Sequence, residues 1–389
     1  MQILTFTSLY PNANLPSRGV FVENRLRHLI KDTNIRSIVV APVPWFPLSR
    51  YVSEEYKAFA DAPHEEDRFD IKVYHPRYLH IPKIGMIVQP FMLALSSYFL
   101  LKRIRQNGWK FRVIDAHYFY PDGVAATFLA KWMDVPFVVT ARGTDLNLIP
   151  RYAIPKKLIK YAANKADKLI TVCKALKDVL VDMGVSEKKV VPVRNGVDLQ
   201  AFRPPEARDS LREELGLEGK TILSVGYLIE RKGHNFIIEA LQYLPDVSLL
   251  IAGTGPEQKS LLDLIDRLKL KDRVKFLGSV PHEELARYYG AADAMVLASS
   301  REGWANVLLE SMACGTPVVA TNIWGTPEVV SCKEAGVLVE RDAPSISTGI
   351  QKLFEHYPDR NLTRKYAENF SWDDTSSLQK VIFEEITGG

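Results

Sequence analysis

The chain is poor in the residues that most openly advertise chemistry. Its 389 residues include three cysteines, Cys173, Cys314 and Cys332, with no Cys-x-x-Cys spacing among them. That excludes a disulfide framework and a zinc ribbon, and it suits a reducing compartment, the cytoplasm. No Cys/His cluster has metal-ligand spacing and no Asp-x-Asp stands in a strand-end loop, so no metal is expected. The start, MQILTFTSLYPN, reads as a strand and lacks a basic segment before an apolar core, so no secretory signal is expected there. No short internal repeat is present, which excludes a solenoid. The basic residues lack the aromatic interleaving of a single-strand groove, which disfavours nucleic acid as a partner.

What is present is a large apolar complement, 47% of residues, in a chain longer than one core usually fills. Two domains are expected. The net charge of +4 conceals an asymmetry: residues 1–200 hold 29 Lys and Arg against 18 Asp and Glu, while the remainder hold 21 against 28. A basic first half beside an acidic second half points to an anionic partner for the first. One long uncharged run stands out, IGMIVQPFMLALSSYFLL at 84–101, flanked by Lys83 and by KRIR at 102–105. Three readings fit it: a single membrane span, a buried domain helix, or a helix whose apolar face and basic end touch an anionic bilayer surface.

Short β-branched runs alternate with helical patterns along the whole chain. QILTF, RSIVVA, IKVYH, RVIDAH, PFVVTA, KLITV and VVPV read as strands in the first half; TILSVG, VSLLIAG, VKFLG, AMVLAS and PVVAT do so in the second. VFVENRLRHLIK, DGVAATFLAKWM, HNFIIEALQYL and HEELARYYGA are among the amphipathic segments between them. This alternation predicts α/β architecture, parallel sheets with helices on both faces. RNGVDLQAFRPPEARDS at 194–210, with its Asn-Gly turn and Pro-Pro pair, marks the boundary. The domains are placed at 1–195 and 205–369. Open α/β sheets bind ligands outside the carboxyl ends of their strands, so the chemistry is expected in a cleft between the two units.

The segment REGWANVLLESMACGTPVVAT at 301–321 carries two glutamates eight positions apart, Glu302 and Glu310. AMVLAS is a strand, SREG the loop after it, and WANVLLESMACG a helix. A helix start offers unpaired N–H groups and partial positive charge, which suits a phosphate. Glu302, an acceptor, suits sugar hydroxyls beside that phosphate, and Glu310 could hold a second set. Read without context, Glu302 could instead cap the helix and Glu310 face solvent.

The surrounding motifs close part of that choice. EGWANVLLE, followed by SMACGTPVVATNIWGTPEVV at 311–330, resembles the retaining glycosyltransferases of family 4. SVGYLIERKGHNFIIEAL at 224–241, IAGTGPE at 251–257, VKFLGSVPHEEL at 274–285 and RNGVDLQAFRP at 194–204 extend the resemblance. It implies the GT-B fold, two Rossmann-like doubly wound parallel-sheet domains facing a cleft, with a terminal helix from about 370 that returns to the first domain. It also implies a nucleoside diphosphate sugar donor, a UDP-sugar for preference, as substrate, with no cofactor. Glu310 would bind the ribose hydroxyls and Glu302 the donor sugar. Gly303, Trp304, Asn306, Val307 and Leu308 would meet the diphosphate or sugar, with Gly226 and Val280 lining the donor. Lys232, in ERKG, would stabilise charge on the departing diphosphate.

Two departures from the family pattern bear on activity. Tyr227 stands where the family carries an arginine, and Arg231, beside Lys232, is the candidate replacement. Arg142, in VVTARGTDLNLIP, replaces the family's histidine near the transferred sugar; a guanidinium is no base there but can clamp a phosphate or carboxylate. Asp145 either orients Arg142 or caps the following helix. His117, in DAHYFYPDG, is a further candidate on the acceptor side. PSRGVFVENRL places Gly19 before a helix, where relatives carry a glycine-rich loop near the phosphates, with Arg18 as added charge. A looser likeness is to the branch with teichuronic acid and exopolysaccharide assembly enzymes. The expectation is metal-independent, configuration-retaining sugar transfer to a cell-envelope glycan or lipid-linked acceptor. The enzyme would be cytoplasmic, with a peripheral seat on the inner membrane face as a further reading. The alternatives are a noncatalytic nucleotide- or glycan-binding protein, and a nucleotide-sugar epimerase or hydrolase.

Overall fold

A computed structural model describes residues 1–47, 49–80 and 85–388, with Met86 described by its backbone alone. Contacts divide the chain into two compact units, Met1–Arg194 with Trp372–Gly389, and Asn195–Ser371.

The first unit is built on an eight-stranded sheet. Its strands run in the order Val190–Pro192, Lys168–Thr171, Phe137–Ala141, Ile114–His117, Gln2–Phe6, Arg36–Val40, Ile71–Tyr74 and Glu65–Arg68. All neighbours are parallel except the last pair. The strands are near-continuous apolar runs because helices cover both faces; every residue of Phe137–Ala141 is buried. Glu65–Arg68 has no apolar residue, so no hydrophobic pattern announces it. It is drawn into the sheet by a tight antiparallel return through Phe69 and Asp70, both at positive φ, and its charge suits an edge. The order of strands reverses between Gln2–Phe6 and Ile114–His117, the switch point at which such sheets hold ligands.

Helix Val20–Asp32 begins at Gly19, whose φ of 69° is left-handed. A Cβ there would lie 2.3 Å from the Leu9 carbonyl oxygen, so only glycine fits. Val22, Leu26 and Leu29 turn inward from this helix to a core shared with Ile3, Val39 and Val138. The terminal helix Trp372–Thr387 packs against it, placing Ile382 and the fully buried Phe383 in the same core. Trp372 stacks on His28 with ring centroids 5.0 Å apart.

Most of the apolar run forms the 22-residue helix Gly85–Gln106, with Pro90 inside it. Ile84 of that run, and the flanking Lys83, lie outside the described residues. Leu93, Ala94 and Leu101 are buried, whereas Ile87, Phe91, Leu95 and Phe99 are exposed. Among the described residues no helix is long and apolar enough to cross a membrane.

The second unit has a six-stranded, wholly parallel sheet in the order Val274–Gly278, Val247–Ala252, Lys220–Val225, Ala294–Leu297, Val318–Thr321 and Gly336–Val339. This is the doubly wound dinucleotide-fold order, with its switch point between Lys220–Val225 and Ala294–Leu297. Gly336–Val339, at the edge of this sheet, is a strand the sequence reading did not pick out.

Because Phe383 fills the first unit's core from the far end of the chain, Phe383→Ala should destabilise that unit by about 3–5 kcal/mol. A urea titration followed by fluorescence would register this as an earlier unfolding transition. An unchanged titration would mean that the helix rests on the surface.

Candidate active site

The second unit brings the predicted donor residues to its switch point. Lys220–Val225 ends at Gly226, and the chain turns through the short 3-10 segment Glu230–Lys232. Gly233 closes that turn at φ 69°, where a Cβ would stand 2.2 Å from the Ala298 carbonyl oxygen. The turn therefore sits directly on the loop that follows Ala294–Leu297. Arg341 secures the same junction, donating from Nε to the Ala298 carbonyl (2.9 Å) and from Nη2 to the Glu230 carbonyl (2.6 Å). The Ser300 N–H donates to the Arg231 carbonyl at 2.8 Å.

Glu302 is held at that junction. Its Oε1 accepts from Lys232 Nζ at 2.6 Å, Ser299 Oγ at 2.7 Å and Arg231 Nη1 at 3.4 Å. Burial alone would raise its pKa, but the charges of Lys232 and Arg231 and the hydrogen bonds from Lys232 and Ser299 prevail. Glu302 is therefore held below the ordinary carboxylate range, an anion at neutral pH. Arg231 also donates to the Arg301 carbonyl at 2.8 Å. Two cations thus face one carboxylate, which leaves a positive excess in the loop.

Helix Asn306–Ala313 starts four residues later, without a side-chain cap. Its first turn exposes backbone donors at Asn306 and Val307, the anion-binding feature of a helix start. The Leu308 N–H is already given to the Ala305 carbonyl at 3.1 Å. Asn306 Oδ1 accepts from Asn195 Nδ2 at 3.2 Å. Gly303 and Trp304 are buried, the indole packing 6.0 Å from the Phe370 ring, so they support the loop from beneath.

Glu310 lies one face deeper on the same helix. Oε1 is 3.0 Å from His282 Nε2, and Oε2 accepts from the Tyr289 hydroxyl at 3.1 Å. The hydrogen bond to Glu310 raises His282 above the ordinary imidazole range against the opposing effect of burial, and the Glu310 charge adds to it. The Phe202 ring packs against both partners, 4.9 Å from His282 and 6.0 Å from Tyr289. His282, Tyr289 and Ser299 were not singled out in the sequence. The signal for the first was its place at the start of HEELARYYGA, two turns before Tyr289 on the same helical face.

Val280 is half-buried in the loop after Val274–Gly278, and no bond joins it to the Glu302 group among the described residues. Tyr227 is exposed and points no cation at this junction.

In the first unit, Arg142, His117 and Asp145 do come together, but inward. Asp145 accepts the backbone N–H groups of Arg142 (3.1 Å), Gly143 (2.7 Å) and Phe119 (2.9 Å). It orients the Arg142 backbone and ties together the loops after Phe137–Ala141 and Ile114–His117. The Arg142 guanidinium donates through Nη2 to His117 Nδ1, and its carbon lies 5.6 Å from the centre of the Phe21 ring. His117 Nε2 is 3.0 Å from Asp115 Oδ2. A guanidinium only donates, so Nδ1 is the acceptor and the ring proton sits on Nε2, facing Asp115. Burial, chiefly, with repulsion from Arg142 and Arg25, pushes His117 down to about 4. Both ring nitrogens are engaged and the residue is buried, so His117 positions its neighbours and is not a free base.

Asp115 Oδ2 also accepts from Gln379 Nε2 at 3.0 Å, and Gln379 Oε1 accepts from buried Arg25 Nε at 2.8 Å. Nothing in the sequence separates Arg25 or Gln379 from surface residues of amphipathic helices. Gly19 and Arg18 belong to this unit as well. Arg18 is committed to Glu55 at 3.3 Å and to the Phe59 ring face.

The amino-terminal part, residues 48–201, matches the family model for Glycosyltransferase Family 4, and residues 207–370 match that for Glycosyl transferases group 1. The chain belongs to glycosyltransferase family 4. TuaC of Bacillus subtilis, a glycosyltransferase assigned to teichuronic acid biosynthesis, is 28% identical over 92% of this chain and 90% of its own length. The N-acetyl-alpha-D-glucosaminyl L-malate synthase of Bacillus anthracis is also 28% identical, over 81% of this chain and 86% of its own. Among solved structures, Anabaena HepE in complex with UDP superposes with a TM-score of 0.76 at 19% identity, covering 99% of this chain and 100% of that one. The fold is GT-B and the protein is a glycosyltransferase of that type.

The neutral, buried state of His117 has a measurable consequence. Its folded pKa lies below the unfolded value, so the unfolded chain binds more protons between pH 6.5 and about 4. Stability attributable to this ring is complete above pH 6.5 and falls with pH, by about 3 kcal/mol once pH 4 is reached. Imidazole 15N shifts at pH 5.5 should report a neutral His117 with the proton on Nε2. A charged ring at that pH would contradict the assignment.

Proposed function

We propose that this family 4 enzyme moves a sugar from a nucleoside diphosphate donor, a UDP-sugar, to a hydroxyl of a cell-envelope glycan or lipid-linked acceptor. The transfer retains configuration and uses protein cations in place of a metal. The observation that carries this reading is the arrangement of Lys232, Arg231 and Glu302 beside an uncapped helix start. A diphosphate laid there would meet two cations and free backbone donors, while the Glu302 and Glu310 carboxylates accept sugar and ribose hydroxyls.

In the reaction the bond from the anomeric carbon to the diphosphate oxygen breaks, and its electron pair stays on that oxygen. Lys232, Arg231 and the Asn306–Val307 amides stabilise the charge that accumulates. The acceptor oxygen attacks from the same face, and its proton passes to the departing diphosphate. Three donors hold Glu302 through Oε1 and the reading gives its other oxygen to the sugar hydroxyls, so same-face attack assisted by the departing diphosphate is preferred to a covalent intermediate. The UDP bound to HepE supports uridine as the base, and the likeness to TuaC supports an envelope acceptor. The three cysteines, none of them in a disulfide, are consistent with a reducing, cytoplasmic site of action.

Thermal shift with UDP, GDP and ADP tests the donor. UDP should stabilise the wild type and lose that effect in Glu310→Ala; stabilisation by none would favour a noncatalytic binder, for which exposed Tyr227 and inward Arg142 already speak. With donor and acceptor present, Lys232→Ala should lower kcat by about 100- to 1,000-fold, the scale for removing one group that stabilises transition-state charge. Proton NMR of the product should show the donor's anomeric configuration. An inverted product would end the retaining reading, and turnover without acceptor would indicate a hydrolase or epimerase.

A further inference from the structure

Three helices of the first unit, Gly85–Gln106, Val124–Met133 and Ala153–Lys165, lie side by side. Together they hold eight lysines and arginines and not one aspartate or glutamate. Along the outer face of the first, Ile87, Phe91, Leu95 and Phe99 recur every four residues, all exposed, Phe99 at 67%. That stripe is about 18 Å long at 1.5 Å per residue. It is continued sideways by Trp132, whose ring lies 6.3 Å from Phe91 and 5.3 Å from Tyr98. Isolated apolar residues on a surface are ordinary, but a contiguous aromatic and aliphatic stripe is not.

Charge selects the occupant. Lys102 sits over the Tyr98 ring, and Arg103 follows it at the carboxyl end of the stripe. Exposed Lys157 and Lys165 share a helical face with exposed Ile154 and Tyr161. An apolar centre with tryptophan and tyrosine at its margin and basic residues around it matches the depth profile of a bilayer interface. A second copy of this chain seated on the same face would set lysines against lysines, with no acid in the three helices to offset them.

We propose that this face seats on a lipid bilayer rich in anionic headgroups, Phe91, Leu95 and Phe99 entering the acyl boundary while the lysines and arginines meet the phosphates. The inference rests on the lipid-linked form of the acceptor proposed above for its purpose, and it names the surface that would bring that acceptor within reach. The protein would lie on the membrane, in keeping with the absence of a spanning helix among the described residues.

Flotation of the full chain with phosphatidylglycerol–phosphatidylcholine vesicles tests it, with pure phosphatidylcholine as the comparison. The wild type should float with the anionic vesicles at low salt, stay behind with the neutral ones, and detach as salt rises. Lys157→Gln with Lys165→Gln should weaken binding about thirtyfold, roughly fivefold for each cation lost near an anionic surface. Leu95→Ser with Phe99→Ser should abolish flotation while leaving the UDP-induced thermal shift unchanged, which also shows that the variant is folded. Three results would overturn the proposal: no flotation of the wild type, flotation unaffected by the variants, or a wild-type dimer that Phe99→Ser makes monomeric. A missing UDP shift in the wild type would strike the transferase reading alone.

Discussion

The organising constraint of the second unit is Glu302, whose side chain keeps only 11% exposure. A carboxylate removed from water is tolerated only with close, well-directed donors, and here they come from three positions in two loops. Lys232 and Arg231 arrive on a turn after one strand of the switch point, Ser299 on the loop after the neighbouring strand. For those loops to touch, the backbone must pass within a distance that excludes a side chain, which is why Gly233 packs against the Ala298 carbonyl. Gly226 plays the companion role: a Cβ there would press on the Lys232 stem at 3.3 Å. The arrangement is therefore set before any ligand arrives. Two positive charges against one negative leave an excess that the proposed diphosphate would share. A preorganised excess of this kind is what stabilises developing negative charge most effectively, since no reorganisation is needed during reaction.

The first unit solves a similar problem for a different end. Asp115, His117, Arg142, Arg25 and Gln379 form a buried polar chain running from a central strand to the terminal helix. Here the cations are consumed by structure. Burial holds Arg142 well below the usual guanidinium range, and the ring it meets is kept neutral so that it can accept. Such a chain contributes little net stability compared with an apolar core of equal volume, but removing any one member leaves a buried charge exposed to low dielectric. It therefore fixes where the terminal helix docks, with Gln379 as the bridge that no purely apolar contact would specify.

Much of the fold was legible because parallel strands buried on both faces are near-continuous apolar runs, and every such run listed from the sequence became a strand. Three of those that escaped lacked that signature: Glu65–Arg68 is four charged residues pulled into the sheet by its hairpin, and Val43–Trp45 and Arg77–Leu79 are three residues each; Gly336–Val339 has an apolar run and was simply not picked out. The site divides in the same way. Glu302, Glu310 and Lys232 were visible because a helix start and a family motif coincide there. His282 and Tyr289 were not, because their role is to hold Glu310, and support of that kind is written in distance across the fold and not in spacing along the chain. Arg142 and His117 were placed at the correct strand ends, yet a strand end says only that a residue is near the switch point. Which way a side chain turns is decided by neighbours such as Asp115, a residue that reads as one more polar position in a strand.

Tyr227 and Arg231 belong together in this light. A cation directly after the strand glycine would approach the switch point from the strand end, and Tyr227 leaves that route empty. The turn four residues later brings Arg231 to the same carboxylate as Lys232, anchored by the Arg301 carbonyl and by its own carbonyl's bond from Ser300. Electrostatic stabilisation of a diphosphate depends on distance to the charge and on how little the charge must move, and much less on which loop supplies it. On the proposed function, Arg231 on the Glu230–Lys232 turn would take the place of the cation that Tyr227 does not supply.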